Sequence, residues 1–104
     1  DSVDYPDFAK MVCTDLADDG ANRGILICGS GQGMAMVANK HKGIRAALCV
    51  NEEMVELARA HNDANVLTIG ARLVDESTAI SCVDKFFSTP FEGDRHIKRV
   101  NKIG

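Results

Sequence analysis

The sequence predicts an α/β fold, a three-layer parallel sheet with helices on both faces. Three observations carry that prediction. Short apolar runs of strand length alternate with amphipathic stretches of helix length. The run Ile25 to Cys28 is apolar without alternation, as a strand covered on both faces requires. It leads straight into Gly29-Ser30-Gly31-Gln32-Gly33, and a helical pattern begins at Met34.

The elements follow in order. Tyr5-Pro6 starts a helix, since proline is tolerated in the first turn. Phe8, Val12 and Leu16 repeat at i, i+4 and i+8, and Gly20 ends that helix. Ile25–Cys28 is the first strand. Met34, Val37 and Ala38 mark a helix that stops near Gly43, and Arg45 to Val50 reads as the second strand. Asn51 caps the next helix, with Glu52 and Glu53 near its positive end. Leu57, Ala58 and His61 share a face of it, and Asn62 closes it. Val66 to Ile69 is the third strand, ending at Gly70. Asp75 caps a helix carrying Ala79, Cys82, Val83, Phe86 and Phe87, which Pro90 breaks. A last helix is expected over Glu92 to Lys102, with Ile97, Val100 and Ile103 on one face. Alternating strands and helices of this kind build a Rossmann-like sheet with right-handed crossovers. The chain opens on a helix and supplies three strands, a thin sheet for this architecture. An N-terminal strand and helix are therefore expected to be absent from the chain as given.

A chain of 104 residues, 45% hydrophobic and 26% charged, suits one soluble globular domain. No segment approaches ~18 consecutive apolar residues, so no membrane span is expected. The start Asp1-Ser2-Val3-Asp4 is acidic, unlike a secretory leader. The net charge of −3 argues against general nucleic-acid binding. Charge is uneven, however. Six Asp crowd residues 1–19, while Arg95, Lys98, Arg99 and Lys102 crowd the tail, which suggests a local anion site or partner contact. Four cysteines stand at 13, 28, 49 and 82, with no C-x-x-C pair and no zinc spacing. Cys13, Cys49 and Cys82 lie in apolar patterns and read as buried reduced thiols, which points to a reducing, cytoplasmic compartment.

Four constellations could carry chemistry. Gly29, Gly31 and Gly33 let the backbone turn tightly and approach a ligand, and their N–H groups beside a helix start can hold an oxyanion. A dinucleotide fingerprint needs glycine where Met34 stands, and a P-loop ending is missing. A plain strand-to-helix turn is the alternative. Cys28 ends a strand beside that helix start, where a thiolate is favoured and can act as nucleophile or base. Its plain alternative is a small buried residue. Ser30 offers a hydroxyl to the same spot. His61 ends a helix, so it lies near the amino edge of the sheet, whereas ligands of open parallel sheets bind at the carboxyl edge. His61 acts in catalysis only if it meets a neighbouring subunit's loop. Arg95 and Arg99, at i and i+4, repel one another until an anion lies between them. Arg72, just after the third strand, is placed to join an anion site. His41 and His96 have no clear partner and read as surface residues.

Together these residues resemble the ribose-5-phosphate isomerase B family, related to the isomerases of the galactose 6-phosphate pathway. The resemblance lies in Asp4-Tyr5-Pro6-Asp7-Phe8-Ala9, the Cys28 loop with Ala38-Asn39-Lys40, and Gly43-Ile44-Arg45-Ala46-Ala47-Leu48. It continues through Ala58-Arg59-Ala60-His61-Asn62-Asp63-Ala64-Asn65, Gly70-Ala71-Arg72 and Arg95-His96, and so covers essentially the whole chain. It implies one sugar-phosphate isomerase domain over residues 1–104, interconverting ribose 5-phosphate and ribulose 5-phosphate without metal or cofactor. By the resemblance, Cys28 is the base that moves a proton between C2 and C1 through a cis-enediolate. Gly29, Gly31, Gln32, Gly33 and Ser30 surround the enediolate oxygen. His61 assists ring opening, Asn62 holds a sugar oxygen, and Tyr5 lines the pocket. Arg72, Arg95 and Arg99 bind phosphate. Some members replace the cysteine by a Glu base where Met34 stands; Met34 cannot take a proton, which leaves Cys28. The family is dimeric or tetrameric with sites at the subunit interface, which resolves the placement of His61. It also begins with a strand and an Asp-His pair that this chain does not show.

Three readings stand at this point. The first is the isomerase, with a hexose 6-phosphate isomerase as its nearest rival; the retained Cys28 favours the pentose. The second is a nucleotide-binding module, supported by the glycine loop and by Glu52 about twenty residues on, and opposed by Met34. The third is a redox thiol protein using Cys28, which lacks a resolving cysteine nearby in sequence.

Overall fold

The computed structural model describes residues 23–104. The first predicted helix, Tyr5 and Cys13 lie outside the described residues. Strand β1 (Gly24–Cys28) leads to helix α1 (Gln32–Ala38), then β2 (Ala46–Leu48), α2 (Glu52–Asn62), β3 (Val66–Gly70), α3 (Glu76–Ser88) and α4 (His96–Ile103). The sheet order is β1-β3-β2 and both pairings are parallel. All five residues of the central β3 are buried, Thr68 among them, as a strand covered on both faces requires.

Two cores flank this sheet. On one face α1 buries Met34 and Ala38 against Leu26, Ile44 and Val66. On the other, α2 and α3 enclose Val55, Ala58, Leu67, Ile69, Cys82 and Phe86. The path steps from β1 past β3 to β2, then turns back to β3. The direction reverses between crossovers and so does the face, as a single handedness demands. Cys49 and Cys82 are buried and free. Burial, with Cys82 beside it, pushes the Cys49 thiol up to about 11, and burial likewise raises Cys82. Neither is a reactive thiol.

Local chemistry sets the element ends. Asn51 Oδ1 accepts from the Met54 N–H at 2.9 Å, and Asp75 Oδ1 accepts from the Thr78 N–H at 2.8 Å, so both predicted caps form. Asp63 takes a left-handed conformation (φ 48°) and closes α2 one residue beyond Asn62. Arg59, 3% exposed, secures that end: Nη1 donates to Asp63 Oδ1 (2.8 Å) and the Ala64 carbonyl (2.7 Å), and Nε to the Thr89 carbonyl (3.0 Å). Arg23 Nη1 similarly donates to the Phe86 carbonyl at 2.8 Å, near the end of α3.

Three predicted elements change their bounds. α1 ends at Ala38 rather than near Gly43, and turns carry the chain onward. β2 covers Ala46–Leu48 rather than Arg45–Val50, because side chains take ladder positions at its start. Asn65 Oδ1 accepts the Arg45 N–H at 2.8 Å, and Asn39 Oδ1 accepts the Ala46 N–H at 2.7 Å. α4 begins at His96 rather than Glu92, because Gly93 (φ 74°) and Asp94 (φ 50°) are both left-handed and a right-handed helix cannot pass through them.

Candidate active site

β1 ends at Cys28, in register with Gly70 at the end of β3. The chain leaves β1 for one face of the sheet and leaves β3 for the other. Adjacent loops that part in this way mark a topological switch point at the carboxyl edge, where ligands of open parallel sheets bind. Cys28 is half-buried there. Gly31 adopts φ 77°, and its N–H donates to Cys28 Sγ at 3.1 Å; an ionised acceptor strengthens such a bond. Ser30 is exposed, and its Oγ accepts from the Gln32 N–H at 3.3 Å. The N–H groups of Gly33 and Met34, in the first turn of α1, stand outside the helical ladder and are free for an oxyanion.

The second loop locks onto the first. The Ala71 N–H donates to the Cys28 carbonyl at 2.7 Å, and the Arg72 N–H to the Gly29 carbonyl at 2.9 Å. The exposed Arg72 side chain passes over Gly29, whose missing Cβ would lie 3.4 Å from Arg72 Nε. Gly70 is tighter still: a Cβ there would overlap the Ser30 backbone. A thiol, backbone donors, a hydroxyl and a guanidinium thus share one rim. The arrangement suits proton transfer on a small anionic molecule.

The other predicted residues gather elsewhere. α2 runs back across the sheet, so His61 and Asn62 lie at the amino edge, separated from Cys28 by at least the rise of a five-residue strand, about 13 Å. Asn62 lines a cavity of about 310 Å³ with Asn39, Arg45 and Ile103. His61 stacks on His96, ring centroids 4.3 Å apart and 15° from parallel. Glu92 Oε1 lies 3.9 Å from His61 Nε2 and 3.7 Å from His96 Nε2. The exposed Arg95 and Arg99 sit on the first turns of α4 beside this cluster. Burial, then His61 and Arg95, hold the His96 imidazole below its usual range, with Glu92 opposing.

Within one chain, then, Cys28, Gly29, Ser30, Gly31, Gln32, Gly33 and Arg72 come together at one edge. His61, Asn62, Arg95 and Arg99 come together at the other. Two surface expectations are corrected. His96 is 4% exposed, because it packs under His61. His41 is half-buried, with Nδ1 3.2 Å from the Val37 carbonyl. Glu92 and His96 are the members of this cluster that sequence reasoning missed; their i, i+4 spacing is the only local signal they give.

Three comparisons bear on this arrangement. The family model described as Ribose/Galactose Isomerase matches residues 1–103. The chain is similar to a crystal structure of a ribose 5-phosphate isomerase from Thermotoga maritima, at 50% identity and TM-score 0.94, covering 99% of this chain and 71% of that one. It is similar to ribose-5-phosphate isomerase B from Mycoplasma genitalium, solved with bound ribulose 5-phosphate, at 48% identity and TM-score 0.94, covering 98% and 68%. It is 43% identical over 101 residues to ribose-5-phosphate isomerase B of Escherichia coli, covering 97% of this chain and 68% of that protein.

Proposed function

The chain belongs to the ribose/galactose isomerase family, and so to the aldose–ketose isomerases; on that premise we propose that it interconverts ribose 5-phosphate and ribulose 5-phosphate. The observation that carries this is the Cys28 rim, where Sγ faces the Gly31 N–H at 3.1 Å. The Cys28 thiolate takes the C2 proton of the open-chain aldose and returns it to C1, while the hydroxyl proton on O2 passes to O1. The charge that develops on the oxygen of the cis-enediolate meets the first-turn N–H groups of α1 and the Ser30 hydroxyl. Gln32 and the glycines shape the rim against the sugar.

The amino-edge cluster supplies the remaining roles from a second copy. His61 opens the furanose by moving a proton between the ring oxygen and the anomeric hydroxyl. Asn62 holds a sugar oxygen, and Tyr5 is assigned to the same pocket. Arg95 and Arg99, with Arg72 from the Cys28 side, bind the phosphate. A closed homodimer satisfies this pairing twice, once per two-fold-related interface site. Residues 1–104 act as one domain of a cytoplasmic enzyme of pentose phosphate metabolism.

The test is conversion of ribose 5-phosphate to ribulose 5-phosphate without added metal, beside hexose 6-phosphates. Turnover of the pentose that Cys28→Ala abolishes in a folded protein supports the reading. Turnover of hexose 6-phosphates alone transfers the chain to the hexose branch. Activity that survives Cys28→Ala removes the thiol as base. Among the described residues the thiol redox alternative gains no resolving thiol, since Cys49 and Cys82 are buried. Among the described residues no helix is long and apolar enough to cross a membrane.

A further inference from the structure

We propose that His61, Glu92 and His96 form a binding site for one borderline divalent metal ion of the zinc class. Each residue offers one ligand atom, and the three atoms all lie within 4.8 Å of one another. Glu92 Oε1 stands 3.9 Å from His61 Nε2 and 3.7 Å from His96 Nε2. Two donors on a tetrahedral zinc, each about 2.0–2.2 Å from the metal, stand about 3.3–3.6 Å apart. A contraction of a few tenths of an ångström brings the carboxylate and each imidazole to that separation.

The three ligands come from three segments that the backbone already ties together. His61 is in the last turn of α2 and His96 opens α4. The Glu92 N–H donates to the Ala60 carbonyl at 3.0 Å, which fixes the Glu92 backbone beside the end of α2. His96 is buried, whereas His61 is 38% and Glu92 59% exposed, so the metal enters from solvent through the cavity of about 330 Å³ lined by Glu92 to His96. A metal lies in the plane of each imidazole it binds, so the more exposed His61 ring swings out of its stack as it ligates. Two imidazoles and a carboxylate complete three positions of a tetrahedron and leave the fourth to water. Arg95 and Arg99 oppose any cation here, so binding depends on nitrogen ligation, and hard oxygen-seeking ions such as magnesium are rejected. Resting on the proposed function, one consequence follows: zinc on His61 withdraws it from ring opening and inhibits the isomerase.

The experiment is calorimetric titration of the full chain with zinc chloride, repeated with cobalt(II) while the visible spectrum is recorded. The expected result is one ion per chain, tetrahedral cobalt bands, and affinity at least ~10-fold lower in Glu92→Gln and His96→Gln. Glu92 is exposed, so Glu92→Gln keeps the fold even if His96→Gln does not. Absence of saturable binding overturns the proposal. So does zinc that Glu92→Gln retains at full affinity, including zinc that only Cys28→Ser removes. None of these readouts uses activity, so the metal site and the isomerase stand or fall separately.

Discussion

A single hydrogen atom at Gly70 lets the two loops at the carboxyl edge touch, since any side chain there strikes the Ser30 backbone. Gly70→Ala must push the Cys28 loop aside. The expected cost is about 1–3 kcal/mol of stability, with isomerisation falling at least tenfold; a thermal melt and an assay on one sample check both. Gly31→Ala meets a different obstacle. Its φ of 77° is left-handed, and a Cβ would lie 2.6 Å from Leu48 Cδ1. It should lose activity more than stability, because the N–H it misplaces is the one on Cys28 Sγ. Arg59 is structural: Arg59→Ala takes the donor from the Ala64 carbonyl, leaves Asp63 to Arg45 alone at 3.3 Å, and leaves the Thr89 carbonyl only the longer bond from Arg23 at 3.4 Å. It should cost about 3 kcal/mol, the low end for breaking a buried pair, since Asp63 is partly exposed. Urea unfolding reads that loss directly.

Among the elements, α2 and α3 were legible because their start signals are local. Asn51 and Asp75 each bond a backbone N–H three residues ahead, which sequence spacing alone encodes. Asn51→Ala should therefore lower stability by about 1 kcal/mol, measured by chemical denaturation. β3 was legible because a strand buried on both faces is a nearly continuous apolar run, here interrupted at Thr68. The start of α4 was not, because Gly93 and Asp94 both turn left-handed, and no apolar period reports a φ angle. β2 was misread at its start because Asn39 and Asn65 side chains imitate strand partners from distant positions. The Cys28 loop could be read as a candidate site because it is contiguous. The His61–His96 stack joins residues 35 apart in sequence, and only packing of α4 against the end of α2 creates it.

Across the whole molecule, stability should follow pH through His96. Its native pKa is lowered by burial, by His61, and by Arg95 and Arg99, with Glu92 opposing. The unfolded chain binds that proton near pH 6.5, while the native state resists it. Unfolded molecules therefore carry more protons below that pH, and stability falls as pH drops from about 6.5 toward the lowered native value. Above neutrality the contribution is flat. The urea midpoint compared at pH 7.5 and 5.5 shows this, and His96→Gln should flatten the slope. Sheet geometry has a larger consequence. One chain holds the thiol rim and the His61–Arg95–Arg99 cluster at opposite edges, so the proposed reaction needs two copies.

Mixing tests that claim most directly. Cys28→Ala and His61→Asn are each prepared as folded, inactive homodimers, then mixed in equal amounts under conditions that exchange subunits, and ribose 5-phosphate isomerisation is measured. Half of the dimers are then hybrids, each with one site that draws both halves intact, so roughly a quarter of wild-type activity should return. No recovery from hybrids that have demonstrably formed would contradict a site shared between two chains.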